Sequence, residues 1–238
     1  MKKIFFLFLF ICLLAACNDD GSRNIEAYYF PLKNLKEGKI YEYRSVGSRN
    51  DPPVYWHYQS IEEGGREYLL GTAYDQAFLP DQSIKEEKVK NGMKLIGLSV
   101  FEADSTGNKQ QITATIEQGN VFPFNVKKPA NVLLTSLHWQ SLADSATIYL
   151  IRNRQYDSDT VFLFNEKNIE AVKFNILELV EHDAGGRLSL ESKGEEVYAK
   201  GIGLVSFKKD ISAEWQMAYL LDKIYTVSEF ERNQSLRE

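Results

Sequence analysis

The stretch Val54-Tyr55-Trp56-His57-Tyr58-Gln59-Ser60-Ile61-Glu62-Glu63-Gly64-Gly65-Arg66-Glu67-Tyr68-Leu69-Leu70-Gly71-Thr72-Ala73-Tyr74 decides the fold. Val54, Trp56 and Tyr58 alternate with Tyr55, His57 and Gln59, so the two sets stand on opposite faces of a strand. Glu63-Gly64-Gly65-Arg66 then gives a turn, because glycine reaches positive φ without a Cβ clash. A second strand follows over residues 68–74. The same pattern recurs downstream. Ile112, Ala114 and Ile116 alternate with polar residues, as do Val172, Phe174 and Ile176, and Leu188 and Leu190. Trp215, Met217, Tyr219 and Leu221 form another period-2 set. Asp104-Ser105-Thr106-Gly107-Asn108 and Asp183-Ala184-Gly185-Gly186 read as further hairpin turns. Segments 40–46, 148–152, 160–164, 197–199 and 202–207 complete a set of about ten to twelve short strands, mostly antiparallel and joined as neighbours.

Helix is scarce. Residues 131–142 carry Leu133, Leu134, Leu137 and Leu142 at near-helical spacing after Pro129, and residues 83–91 read as a charged helical turn or an exposed strand. A sheet of this size curls or splits instead of staying flat. The expected fold is therefore mainly β: a strongly curved antiparallel sheet, half-barrel or barrel, with one or two short helices covering one end or the concave face. A two-sheet β-sandwich is the alternative.

The N-terminus gives an address. Lys2 and Lys3 precede an apolar run from Ile4 to Ala16. That run is too short for a membrane helix, which needs about 20 residues, but suits the apolar region of a secretory signal. Leu14-Ala15-Ala16-Cys17 resembles the lipobox of bacterial lipoproteins. The resemblance implies that residues 1–16 are removed as a signal peptide. Cys17 then becomes the first residue and is lipidated on sulfur and amine, the latter by a fatty acid such as palmitate. Several acyl chains anchor a protein stably to a membrane without spanning it. Residues 17–24 form an acidic tether, and 25–238 a single all-β domain. Asn18-Asp19-Asp20 resembles the tether of surface-exported Bacteroidota lipoproteins, which implies the outer membrane, with the cell surface favoured over the periplasmic face. The chain has two cysteines, Cys12 and Cys17. Loss of one and acylation of the other leaves no thiol for a disulfide or metal site.

Charge narrows the partners. The 238 residues carry 28 Lys and Arg against 33 Asp and Glu, a net −5, and removal of Lys2 and Lys3 takes this to −7. A negative chain without a long basic run does not favour nucleic acid or anionic lipid as a partner.

Catalytic patterns are absent from the sequence. His57, His138 and His182 lack metal-ligand spacing, and no His-Glu-x-x-His or Gly-x-Ser-x-Gly motif occurs. Gly201-Ile202-Gly203 begins like a dinucleotide fingerprint, but the third glycine is Ser206 and no helix pattern follows. It reads as a strand start where glycine admits another backbone or a large ring. Asp157-Ser158-Asp159-Thr160 starts like a calcium loop but lacks the glycine and glutamate such a loop needs, and reads as a hairpin turn. Glu62-Glu63, Glu86-Glu87 and Glu195-Glu196 are adjacent pairs whose members point to opposite strand faces, so none is by itself an acid/base pair. No catalytic, cofactor-binding or metal-ligating residue is assigned. The aromatics Tyr55, Trp56 and Tyr58 are the candidate ligand-binding residues, because rings on a curved sheet stack on sugars or line an apolar pocket. The alternative is that they are core.

Two stretches carry a wider resemblance. Tyr28-Tyr29-Phe30-Pro31-Leu32 with Gly38-Lys39-Ile40-Tyr41-Glu42-Tyr43, and Tyr198-Ala199-Lys200-Gly201-Ile202-Gly203-Leu204-Val205, are similar to a loose group of Bacteroidota lipoproteins. The resemblance implies an all-β fold with a curved sheet like that of the lipoprotein carriers LolA and LolB, with these motifs as an entry into the first strand and a late strand. The expected function is a non-enzymatic, membrane-anchored binding or accessory domain with a glycan, peptide or protein partner. The alternative is a periplasm-facing carrier of lipid or acylated protein.

Overall fold

The computed structural model describes residues 21–47 and 51–235, so the signal sequence, Cys17 and Asn18-Asp19-Asp20 lie outside the described residues. The chain begins with β1 (Arg23–Asn24) and two 3-10 turns, Glu26–Tyr28 and Leu32–Asn34. There follow β2 (Lys39–Ser45), β3 (Val54–Glu63), β4 (Arg66–Tyr74), β5 (Pro80–Val89), β6 (Gly92–Ala103), β7 (Lys109–Thr113), β8 (Thr115–Pro123) and β9 (Asn125–Val126). The second half holds β10 (Val132–Gln140), β11 (Thr147–Phe164), β12 (Lys167–Asp183), β13 (Arg187–Ala199), β14 (Gly203–Asp210), β15 (Gln216–Thr226) and helix α1 (Val227–Ser235).

Twelve of these strands close into an antiparallel barrel. Around the wall each strand pairs with its sequence neighbour, in the order β2-β3-β4-β5-β6-β8-β10-β11-β12-β13-β14-β15, and β15 pairs back with β2. β7 and β8 follow one another along the same edge of β6, with Ala114 bridging them through a bond from its N–H to Leu98 O at 2.9 Å. Closure removes the unpaired edges an open sheet would leave. The outer wall carries Glu42, Arg44, Lys85, Lys173, Lys193, Glu195 and Lys208, where a membrane-spanning barrel needs an apolar band. No described helix is long and apolar enough to cross a membrane.

Three glycine-bearing turns form as the sequence implies: Glu63 pairs Arg66, Asp183 pairs Arg187, and Ala103 pairs Lys109 across the loop from Asp104. The Asp104 carboxylate accepts hydrogen bonds from the Thr106 hydroxyl and the Gln110 amide, and from the N–H groups of Thr106 and Asn108, which hold its pKa down to about 2.

Other expectations are corrected. Residues 131–142 are not helical but contain β10; of the two readings of residues 83–91 the strand is the one that forms, largely within β5. Asp157-Ser158-Asp159 is no hairpin turn: it lies inside the 18-residue β11, where a bulge shifts the register between Tyr156 and Ser158. Asp157 there pairs with Lys173 at 3.0 Å. Among the described residues the α-helix is α1, and it packs on neither the concave face nor a barrel end. Phe230 packs against Tyr55 and Tyr225 on the outer side of the wall. Its start is a capping box: Thr226 Oγ1 accepts the Glu229 N–H at 3.2 Å, and Glu229 returns a bond to the Thr226 N–H at 2.8 Å.

A barrel of this girth is too wide to fill with aliphatic side chains alone. Two devices fill it. Large rings point inward: Tyr41, Tyr43, Tyr58, Phe122, Phe174 and Tyr198 are all buried. The segment between β1 and β2 plugs one end with Ile25, Tyr28, Tyr29, Phe30, Leu32 and Leu35. Residues 28–32 of the early motif thus form a plug, and its second part, residues 38–43, is the entry into β2. Phe30 lies 4.3 Å from the Tyr58 ring centroid and against Gly203, where a Cβ would sit 2.5 Å from the Phe30 ring. The Gly201 N–H donates to Ala27 O at 2.8 Å. Tyr41 and Tyr43 donate to Ile202 O and Leu204 O, each at 3.0 Å. The early and late stretches that carry the resemblance therefore meet at one end of the barrel.

Candidate functional site: the barrel lumen

Above the plug the lumen keeps a cavity of about 300 Å³. One side is aromatic. Trp56 and Tyr58 alternate inward on β3, and their rings lie parallel, 5.5 Å apart with an interplanar angle of 5°. Phe207 and Leu204 of β14 continue that surface. The other side is charged, with Glu86 of β5, Arg152 and Arg154 of β11, and Glu196 of β13 lining the same space.

The charged side is built as a network. Arg154 is buried and grips Glu196 bidentately, at 2.8 Å from Nε and 3.1 Å from Nη2, while Nη1 donates to Val121 O at 2.6 Å. Tyr198 adds a 3.0 Å bond to Glu196 Oε2. Burial alone would raise the Glu196 pKa, but Arg154 outweighs it and holds this carboxyl below the usual range. Glu86 accepts a hydrogen bond from Tyr29 of the plug and has no comparable cation. Burial therefore dominates, and it pushes the Glu86 pKa up to about 7. Farther along the lumen, Arg152 and Lys209 both bind Glu178, which stays charged although only 5% of its side chain is exposed. Buried charge is expensive unless paired, and each of these carboxylates has a partner. Glu86 has a phenol donor, and the others have cations.

The three candidate aromatics part company. Trp56 and Tyr58 face the lumen. Tyr55 points to the outer side, between Phe78 and Phe230, with ring centroids at 5.4 and 5.3 Å. The histidines lie outside the lumen. His57 packs its ring against Gly38 on the outer face, His138 lies in β10 near Glu117, and His182 bonds Asp144 at 2.6 Å. Among the described residues no group of three or more His, Cys, Asp or Glu is placed to hold a metal.

The adjacent glutamates divide between faces: Glu86 and Glu196 point in, Glu87 and Glu195 out. The inward members of two pairs nevertheless share one cavity, and pairwise reading along the chain misses that meeting. The sequence reading assigns no site role to Arg152, Arg154 and Glu178, and treats Glu86 and Glu196 only as members of adjacent pairs. A signal existed in Leu150-Ile151-Arg152-Asn153-Arg154-Gln155-Tyr156, where two arginines alternate in phase with Leu150 and Tyr156 and so fall on the core face.

These features define a class, a closed up-and-down antiparallel barrel with one end plugged and an aromatic-and-ionic lumen. No protein-family model and no curated protein sequence matches the chain. Two solved structures share the fold. One is a protein of Parabacteroides distasonis, provisionally described as a lipoprotein, with TM-score 0.51 and 9% identity over 83% of this chain and 97% of that one. The other is from Bacteroides fragilis, provisionally described as an exported protein with a YmcC-like fold. It gives TM-score 0.53 and 13% identity over 82% of this chain and 98% of that one. At such identities the likeness is one of fold.

Proposed function

We propose that this chain is a lipid-anchored accessory protein of the bacterial cell envelope whose barrel lumen binds a small ligand without transforming it. The observation that carries the reading is the unfilled space of about 300 Å³ beside the parallel Trp56 and Tyr58 rings. Interiors do not leave such space by default. A flat ring face next to fixed polar groups suits a glycan unit or a short peptide. The two solved neighbours, described as a lipoprotein and an exported protein, support an envelope setting. With Cys17 acylated and the Asn18-Asp19-Asp20 tether, the favoured place is the outer membrane, cell surface before periplasmic face. Loss of the domain on protease treatment of intact cells tests that face.

Two features favour binding over hydrolysis. Glu196 already accepts three hydrogen bonds, from Arg154 twice and from Tyr198, which leaves little basicity for attack. Glu86 is tied to Tyr29. The carrier alternative is weakened by the same groups: an acyl chain entering this lumen would lie against Glu86, Arg152 and Arg154 and strip their hydration.

The test is titration of the purified protein with oligosaccharides, short peptides and a fluorescent fatty acid, read by calorimetry and tryptophan fluorescence. Saturable binding of a glycan or peptide, lost in Trp56→Ala and kept in Tyr55→Phe, is the expected result. Binding that survives Trp56→Ala would remove the lumen assignment, and saturable fatty-acid binding would replace it with the carrier reading.

A further inference from the structure

The β11–β12 hairpin runs past the plugged end of the barrel and turns at Asn165 and Glu166, both at positive φ. Near its tip Val161 and Leu163 are 60% and 65% exposed, among the most exposed large apolar side chains described. They stand one residue apart on one face of β11, in phase with Asp159. Asp159 is the residue that holds Arg23 of β1 in an ion pair. The chain therefore enters the fold beside these two apolar residues, on their face of the strand.

We infer that this hairpin tip rests on the lipid bilayer to which the chain is anchored. The inference relies on acylation of Cys17. Five residues lie between Cys17 and Arg23, six steps along the chain, and a fully extended chain spans at most about 3.3–3.6 Å per residue. The anchor thus holds Arg23 within roughly 20 Å of the acyl chains, and Leu163 lies about 13 Å further along β11 from Asp159, the partner of Arg23. Charge at this end agrees. Lys127 and Lys128 are exposed beside β9, the strand that pairs with β1, and Lys167 follows the turn. The nearby acids Asp159 and Glu170 are paired, with Arg23 and Lys200. Glu166 stands at the turn itself. Exposed aliphatic residues flanked by lysines are the composition that settles into a membrane interface. The other exposed pair on the same ribbon, Leu188 and Leu190, is at the β12–β13 turn. It lies at the far end of the 17-residue β12, on the order of 50 Å away at about 3.3 Å per residue.

The experiment uses the full chain, processed in a bacterial host and purified from its membranes. The processed, acylated chain has no free thiol, so Leu163→Cys and Leu188→Cys each accept a single environment-sensitive fluorophore. Both proteins are reconstituted into phosphatidylethanolamine–phosphatidylglycerol vesicles, checked by flotation, and then exposed to a lipid carrying a shallow quencher. The expected result is a blue-shifted, quenched label at position 163 and a water-like, unquenched label at 188. Flotation with a water-like label at 163 would overturn the docking while leaving the anchor in place. Failure to float would overturn the anchor reading and the docking with it. Equal quenching at both sites would show unspecific adsorption and also overturn it.

Discussion

The lumen has two walls that solve the same filling problem differently. Along β14, β15, β2 and β3 the inward groups are rings: Tyr41, Tyr43, Trp56, Tyr58, Phe207 and Tyr219. Their hydroxyls are satisfied close by, as when Tyr41 and Tyr43 bond the backbone of the β13–β14 region. Along β11, β12 and β13, with β5, the charged groups Arg154, Arg152, Glu178, Glu196 and Glu86 point inward beside rings such as Phe174 and Tyr198. The charged groups must find partners across strands. Stability on the aromatic wall comes from buried area, which is lost in proportion to what is removed. On the charged wall it comes from pairing, which fails abruptly when one partner goes.

The sharpest way to break this contrast is Arg154→Met. It strips Glu196 of its bidentate partner inside the barrel and leaves the Val121 carbonyl without its donor. The expected loss is about 3–5 kcal/mol in denaturant unfolding. Adding Glu196→Gln should restore much of it, because the stranded charge is gone. If the two substitutions were simply additive, the charged wall would not be a coupled unit.

Glu86 and Glu196 then separate by pH. The Glu86 pKa rises from an ordinary 4.5 to about 7 on folding, chiefly through burial. A carboxyl raised in this way favours the folded state fully below pH 4.5, and that contribution is lost as pH climbs to about 7. Each pKa unit is worth about 1.4 kcal/mol, so the loss is on the order of 3 kcal/mol. Glu86→Gln should flatten this part of the stability profile and raise stability at pH 8. Glu196, held below its ordinary pKa by Arg154, has the opposite sign, and its contribution disappears on acidification. A profile unchanged by Glu86→Gln would mean that this carboxyl ionises freely in the folded barrel.

Legibility in the sequence follows the same divide. Hairpins were legible where glycines mark the turn, at Gly64-Gly65 and Gly185-Gly186, since the signal is local. β10 was hidden because Thr135 occupies an inward position between Leu133 and Leu137. Its hydroxyl is satisfied by the Asn120 carbonyl at 3.0 Å, so a polar residue interrupts the apolar face and leaves a leucine spacing that imitates a helix. β11 was split because the bulge at Asp157 shifts its alternation by one residue. Helix α1 carried a readable capping signal in Thr226-Val227-Ser228-Glu229, but too little apolar periodicity to draw attention. Of the site, Trp56 and Tyr58 stood out as rings in a strand, whereas Glu86, Arg154 and Glu196 are far apart in the chain. Only the register of the closed barrel brings them to one cavity.

The smallest expected effect is on the aromatic wall, and it bears directly on what that wall is for. A fully buried tryptophan costs about 3–5 kcal/mol on truncation to alanine, because its packing is lost and a cavity opens. Trp56 is only half-buried and borders space that is already unfilled, so Trp56→Ala should cost about 1–2 kcal/mol, mostly its contact with Tyr58. Measured by the same denaturant unfolding, a loss near the core value would make Trp56 part of the packing and the space beside it an incidental void. A small loss, together with abolished ligand binding, would mean that the ring contributes little to holding the barrel together. Its exposed face would then be surface kept available to a ligand, while the charged wall maintains the lumen's shape.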